Sequence, residues 1–275
     1  MTRNITEYHR PKEVIEAIRL LARPDTLTVP LAGGSQLVAS GRRDVQAVVD
    51  LRDLGLASMR REGEALRIGA TTTLQALIDS PESAPAWNAE LARVAGLTAA
   101  RNLREQGTIA GTLVAAENNS PLAVMLLALD ASLTIEPGRK TVSLEEFLQK
   151  RASLLPASLI TEVTIPLPHP GEAAAFEKVG RTPADLPIVC AAVRARLENA
   201  AVRDVRIGLG GVAATPVRAP RIEKMLEGRS PDRVAFDLAE DDVDPPSDFM
   251  GSADYRREMA AVLVRRAVAR LFQAV

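Results

Sequence analysis

The stretch TIAGTLVAAENNSPLAVMLLALD, Thr108 to Asp130, joins two kinds of sequence. Ser120-Pro121 reads as a helix N-cap followed by a first-turn proline, places that suit a short hydroxyl side chain and a residue with no N–H. Leu122 to Leu129 then supply an apolar helical body. Before the cap the residues are mostly small or amide-bearing. Such a run either lets a ligand approach the main chain closely or makes a tight turn between core elements. The rest of the chain decides between the two.

A chain of 275 residues accommodates one large domain or two ordinary ones. Its 34 basic and 35 acidic residues nearly cancel, so no charge excess favours nucleic acid or an anionic membrane. With 3% aromatic residues there is little to stack bases on, and the core must be aliphatic. Cys190 is the single cysteine, which excludes an internal disulfide and an iron–sulfur cluster held within this chain. Between Ile188-Val189 and Ala191 it reads as a small buried hydrophobe of a strand. The opening MTRNITEYHRPKE carries no apolar signal segment, and no apolar run reaches the roughly 18 residues a spanning helix needs. A cytoplasmic location is therefore expected.

Outward from the central stretch, the N-terminal part reads as a small α/β unit. RPKEVIEAIRLLARP places Val14, Ile18, Leu21 and Ala22 on one helical face between two prolines. TLTVPL and DVQAVVDL are strands, separated by LAGGSQLVASG. EALRIGA is a further strand. Thr72 with Gln75 has capping-box spacing, as has Ser143 with Glu146. SAPAWNAELARVAGL reads as helix. Pro137-Gly138 marks a turn between two strands, and SLITEVTIP is a strand ended by proline. IPLPHPGEAAAF is the best boundary. Beyond it AAFEKVG and PIVCAAVRARLENAAVRDVRIGLGGVA give three strands, the last two joined at Glu198-Asn199-Ala200. APRIEKMLEG and GSADYRREMAAVLVRRAVARLF are helices, and the acidic DLAEDDVDPPSD between them is a solvated connector.

Chemistry-bearing residues are few. His9 and His169 lie in proline-flanked loop sequence and make no metal site. Gly33-Gly34 follows a strand and precedes a short helix from Ser35. Consecutive glycines let main-chain N–H groups converge on an anion, although the spacing is neither that of a Rossmann turn nor that of a P-loop. Thr108 to Ser120, with Gly107 and Gly111, is a second small-residue segment. Together the two suit one extended ligand, with a pyrophosphate at the first and a polar ring edge at the second.

Five stretches in order carry a resemblance: LAGGSQLVASGRRDVQAVVDLRDLGL, LRIGATTT, RNLREQGTIAGTLVAAENNSPLAVMLLALDA, FEKVGRTPADLPIV and GSADYRREMAAVLVRR. The chain resembles the FAD-binding (medium) subunit of the molybdenum hydroxylases, of xanthine, aldehyde and carbon monoxide dehydrogenase type, from about residue 5 to 273. The resemblance implies an α+β protein. A PCMH-type FAD-binding domain spans 1–170, made of a small α/β subdomain (1–55) and an antiparallel sheet with helices (56–170). A C-terminal domain follows over 171–275, with a three-stranded antiparallel sheet and helices. It implies FAD as cofactor and an oxidoreductase subunit with two partners. Electrons leave a molybdenum cofactor in a large subunit, cross iron–sulfur clusters in a small one, reach the flavin, and pass to NAD, a quinone or another external acceptor.

Matched residue by residue, Ala32, Gly33, Gly34, Ser35, Gln36 and Leu37 correspond to the family's phosphate loop. Ala99, Thr108, Ile109, Gly111, Thr112 and Ser120 correspond to the second group of contacts. Ile160 matches an apolar position against the flavin ring. Lys178, in a pattern with Arg181 and Asp185, matches a further ring contact. No catalytic side chain and no metal ligand is implied. Three positions depart from the family: Ala110 stands for a glycine, Thr112 for an asparagine, and Pro121 for an aspartate that bonds the ring. Glu117, Asn118 and Asn119 are the nearest replacements for that lost acceptor. The departures keep a second reading in view, a structural or assembly subunit of the same fold with weak or lost FAD binding. A stand-alone flavoenzyme is a third.

Overall fold

The computed structural model describes residues 5–83, 85–87, 89–198, 201–230 and 243–273. The N-terminal unit is a three-stranded parallel sheet of β1 (Glu7–His9), β2 (Thr28–Leu31) and β3 (Ala47–Asp50), in the order β1-β3-β2. Helix α1 (Val14–Leu21) connects β1 to β2, and α2 (Ser35–Ala39) connects β2 to β3. His9 thus lies on a strand, paired with Val49, and not in a loop. Three residues are too few to show alternation, so proline spacing misled the sequence reading there. Ala17, Ile18, Val49 and Leu51 form a small core that reaches Leu159 of the next unit.

The second unit is a five-stranded antiparallel sheet, ordered β4 (Met59–Glu62), β5 (Ala65–Gly69), β8 (Leu159–Pro166), β6 (Ser132–Glu136) and β7 (Lys140–Ser143). The β6–β7 turn carries Pro137-Gly138, as its sequence demands. Helices α3 (Leu74–Asp79), α4 (Glu90–Thr98), α5 (Arg101–Arg104), α6 (Ile109–Val114), α7 (Pro121–Ala128) and α8 (Leu144–Leu154) accompany it. Ser143 caps α8 by accepting from the Glu146 N–H. The cap of α3 is Thr73, which accepts from the Ala76 N–H, one residue later than the Thr72–Gln75 spacing implies. Thr72 is instead drawn to the Ser58 carbonyl and Gln75 to Asp79. Helix α4 starts only at Glu90, after Trp87 and Ala89 with φ of 55° and 62°, a left-handed backbone that shortens the expected helix.

The C-terminal unit is a four-stranded antiparallel sheet, ordered β12 (Val217–Arg218), β11 (Ala201–Gly210), β10 (Val189–Glu198) and β9 (Glu172–Val179), with α9 (Pro220–Leu226) and α10 (Ala253–Gln273). Three strands were expected; the two-residue β12 carries too little pattern to read. Asn199 and Ala200 of the expected hairpin, and residues 237–242 of the acidic connector, lie outside the described residues.

This sheet is buried on both faces. Ala173, Ala175, Val189, Ala191 and Val193 face a core with Leu263 and Val264 of α10. Ala174, Phe176, Cys190 and Ala192, one residue out of step, face the core built on α7 and the five-stranded sheet. That is why IVCAAV is continuously apolar where a half-exposed strand would alternate. Every residue of α7 is buried, which is what a helix apolar on all sides requires. It lies between the second unit and the third, so one core crosses the boundary near residue 170.

Candidate cofactor-binding site

The two small-residue segments meet. Gly33 packs so closely on the second that a β-carbon there would overlap the carbonyl oxygen of Gln106 and lie 3.2 Å from the Gly107 nitrogen. A β-carbon at Gly107 would lie 3.9 Å from Ser35 Oγ. Glycine is needed at Gly33 for close approach, and at Gly34 for its φ of +73° ahead of α2. Among the described residues, no acceptor meets the N–H groups of Gly33, Gly34, Ser35 and Gln36. Ala32 to Leu37 contains no acidic side chain. A cradle of unspent N–H donors with room only for glycine suits a pyrophosphate, and the residues present fit a dinucleotide there.

The second segment is more committed. Thr108 is buried, and its hydroxyl caps α6 by accepting from the Gly111 N–H at 3.2 Å. The Ile109 N–H donates to Thr72 and the Ala110 N–H to Ala70, while Ala70 donates to Thr161. These bonds sew α6 to β8 one residue from the buried Ile160. They also consume donors that a ligand would otherwise use. Gly111 and Thr112 stay half-buried, Thr112 donating to the Thr108 carbonyl. The Ala99 carbonyl takes a guanidinium N–H of Arg104 at 2.7 Å. Ser120 sits at the N-cap of α7, as expected, but its hydroxyl makes no capping bond.

Three of the candidate residues are engaged with main-chain carbonyls of the C-terminal unit. Lys178 donates to the carbonyls of Pro183 at 2.8 Å and Asp185 at 2.7 Å, and burial among them lowers its pKa; the ammonium anchors the loop after β9. The side-chain N–H groups of Asn118 and Asn119 donate to the carbonyls of Ala213 and Pro187 of the C-terminal unit. Gln106, absent from the sequence-based site, is the residue that closes the seam; a main-chain carbonyl leaves no signature in sequence. A groove of about 540 Å³ lies elsewhere, between α1 and the polar face of the five-stranded sheet near Arg60, Thr134, Arg139 and Glu162. It includes none of the residues expected to hold the cofactor, and its mixed lining follows from α1 bridging two units.

Two family models cover the chain. The FAD-binding domain in molybdopterin dehydrogenase matches residues 3–168, and the CO dehydrogenase flavoprotein C-terminal domain matches 174–271. The chain belongs to the FAD-binding medium subunits of the molybdenum hydroxylases. Among these relatives, the carbon monoxide dehydrogenase medium chain of Afipia carboxidovorans is 35% identical over 96% of both chains. The 6-hydroxypseudooxynicotine dehydrogenase complex subunit alpha of Paenarthrobacter nicotinovorans is 32% identical over 96% of this chain and 93% of its own. The solved reconstituted CO dehydrogenase from Oligotropha carboxidovorans contains a chain that superposes with a TM-score of 0.87 at 34% identity, covering 96% of each. The medium subunit is thus an oxidoreductase component with FAD as its cofactor. Among the described residues no helix is long and apolar enough to cross a membrane.

Proposed function

We propose that this medium subunit is the electron outlet of a molybdenum hydroxylase. Its FAD receives electrons from the iron–sulfur clusters of a small subunit, fed by a molybdenum-cofactor subunit, and delivers them to an external acceptor such as NAD or a quinone. The observation that carries the reading is the seam between the Gly33-Gly34 loop and Gln106-Gly107. Redox chemistry belongs to the flavin, so the chain's task is to bind and orient it, and no side-chain acid or base is required. Ala32 to Leu37 bind the pyrophosphate through main-chain N–H groups, with Ser35 and Gln36 adding neutral hydrogen bonds. Ala99, Thr108, Ile109, Gly111, Thr112 and Ser120 line the path toward the ring, and Ile160 backs it. Lys178 acts indirectly, through the loop it anchors. Residues 1–170 and 171–275 serve as the cofactor-binding and supporting units, in a cytoplasmic complex.

The spent N–H groups of Ile109 and Ala110 favour one alternative, a structural subunit that binds FAD weakly. An absorbance spectrum of the purified chain, with cofactor extraction, separates the two. Near-stoichiometric FAD is expected, and reduction of that flavin when the partner subunits and their substrate are supplied. A colourless protein that added FAD does not titrate decides for the structural reading.

A further inference from the structure

The turn Glu117–Ser120 leads from the second small-residue segment into α7. Its internal closure is a Ser120 N–H to Glu117 carbonyl bond of 3.1 Å. The Ser120 carbonyl accepts from the Val124 N–H of α7, and the bonds of Asn118 and Asn119 run to the residues that flank β10 and β11. The Gly211 N–H donates to the Asn118 carbonyl at 2.9 Å, the Asn118 amide donates to Ala213 at 3.0 Å, and the Asn119 amide donates to Pro187 at 2.6 Å. Asn119 is 7% exposed.

The receiving backbone is itself held rigidly. Arg256, 2% exposed, donates through Nη1 to the carbonyls of Ile188 at 2.7 Å and Gly211 at 3.2 Å, and through Nη2 to both carboxylate oxygens of Asp248 at 2.8 and 2.9 Å. The glycines of the Ile207–Gly211 stretch make room. A β-carbon at Gly210 would lie 2.8 Å from Cys190 Sγ and 3.1 Å from the Asn118 carbonyl, and Gly211 has φ of +81°. The ends of β10 and β11 therefore form a template on which the turn is seated.

We propose that Asn118 and Asn119 are positioning residues that dock this turn onto the C-terminal sheet and thereby set the ring end of the FAD site. The inference rests on the FAD-binding reading above. The amides work through the turn and do not touch the flavin. Loosening them misplaces the second segment while the Gly33-Gly34 cradle, seated against Gln106, stays as it is.

The test uses the full-length chain freed of flavin and titrated separately with FAD and with ADP, which carries the pyrophosphate but no ring. Asn118→Ala and Asn119→Ala should each weaken FAD about tenfold, the loss of one hydrogen bond's worth of order. ADP affinity should stay within twofold of wild type, and the visible circular dichroism of the bound flavin should change. Equal losses for FAD and ADP, or unchanged FAD affinity and dichroism, overturn the proposal. If Asn119→Ala does not fold, the half-buried Asn118 carries the same comparison. Failure of the unsubstituted chain to bind FAD overturns the function reading itself, and is seen before any variant is made.

Discussion

At Gly33 the requirement is for the absence of a side chain. Even the methyl of Gly33→Ala would collide with the Gln106 carbonyl and part the two segments. FAD retention by that variant should fall more than tenfold, read as the flavin-to-protein absorbance ratio after gel filtration. Ser35→Ala leaves the seam closed and removes at most one neutral hydrogen bond, so its loss should be only about two- to tenfold. Equal effects of the two would show that the seam does not matter. Cys190 makes the opposite point about an apparent reactive group. Burial raises its thiol pKa far above the ordinary range, and the sulfur faces the Asn119 carbonyl at 3.8 Å. It should resist a thiol reagent in the native protein and react on unfolding; prompt native labelling would contradict its packing.

At the scale of elements, α7 shows how a helix with no polar face is accommodated. A β-carbon at Gly208 of β11 would run into the Val124 carbonyl of α7, so this strand was kept bare for the helix to approach. Gly208→Ala should destabilise the protein by about 1–3 kcal/mol in urea unfolding, the usual range for overpacking. Gly96, in α4, has nothing within 4 Å of a built β-carbon. Gly96→Ala should be neutral or stabilise by up to about 1 kcal/mol, since alanine is the better helix former. A reversed order would put α7 elsewhere. Both elements were legible beforehand, α7 from its cap and apolar run and β11 from its valines and isoleucine. Their contact was not, because nothing local to either records the other's distance.

The whole molecule is tied together at Glu90, whose side chain is buried. It accepts from the Phe176 N–H of β9 at 2.6 Å, from Arg93 at 2.6 Å, and from Arg270 of α10 at 3.4 Å. Desolvation pushes its pKa up, but the bonds to Arg93 and the Phe176 N–H and the charge of Arg270 outweigh it and leave the pKa below the usual 4.5. A carboxylate with a lowered folded pKa contributes stability that is fully present above its unfolded pKa. That stability is lost as the pH falls through the folded value. Glu90→Gln should therefore cost about 3 kcal/mol near neutrality, discounted for the partial exposure of Arg93. The gap between wild type and variant should narrow as the pH drops below 4.5, which urea midpoints across an acid series would reveal. A gap independent of pH would mean that the charge is not what binds the units.

The sequence by itself determined the order of the elements and most of their spans. It also determined the burial of Cys190, the two glycine-bearing segments, and the family to which their spacing belongs. Caps, prolines, glycines and apolar periods encode backbone shape within a few residues of themselves, and that information survives in one dimension. Tertiary structure alone decided that the segments touch through Gln106, that Ile109 and Ala110 have spent their N–H groups, and that Asn118 and Asn119 serve the C-terminal sheet. Each of those facts is a choice of contact or hydrogen-bond partner far along the chain. An amide or a carbonyl is the same group whichever partner it finds, so only the packed fold assigns one.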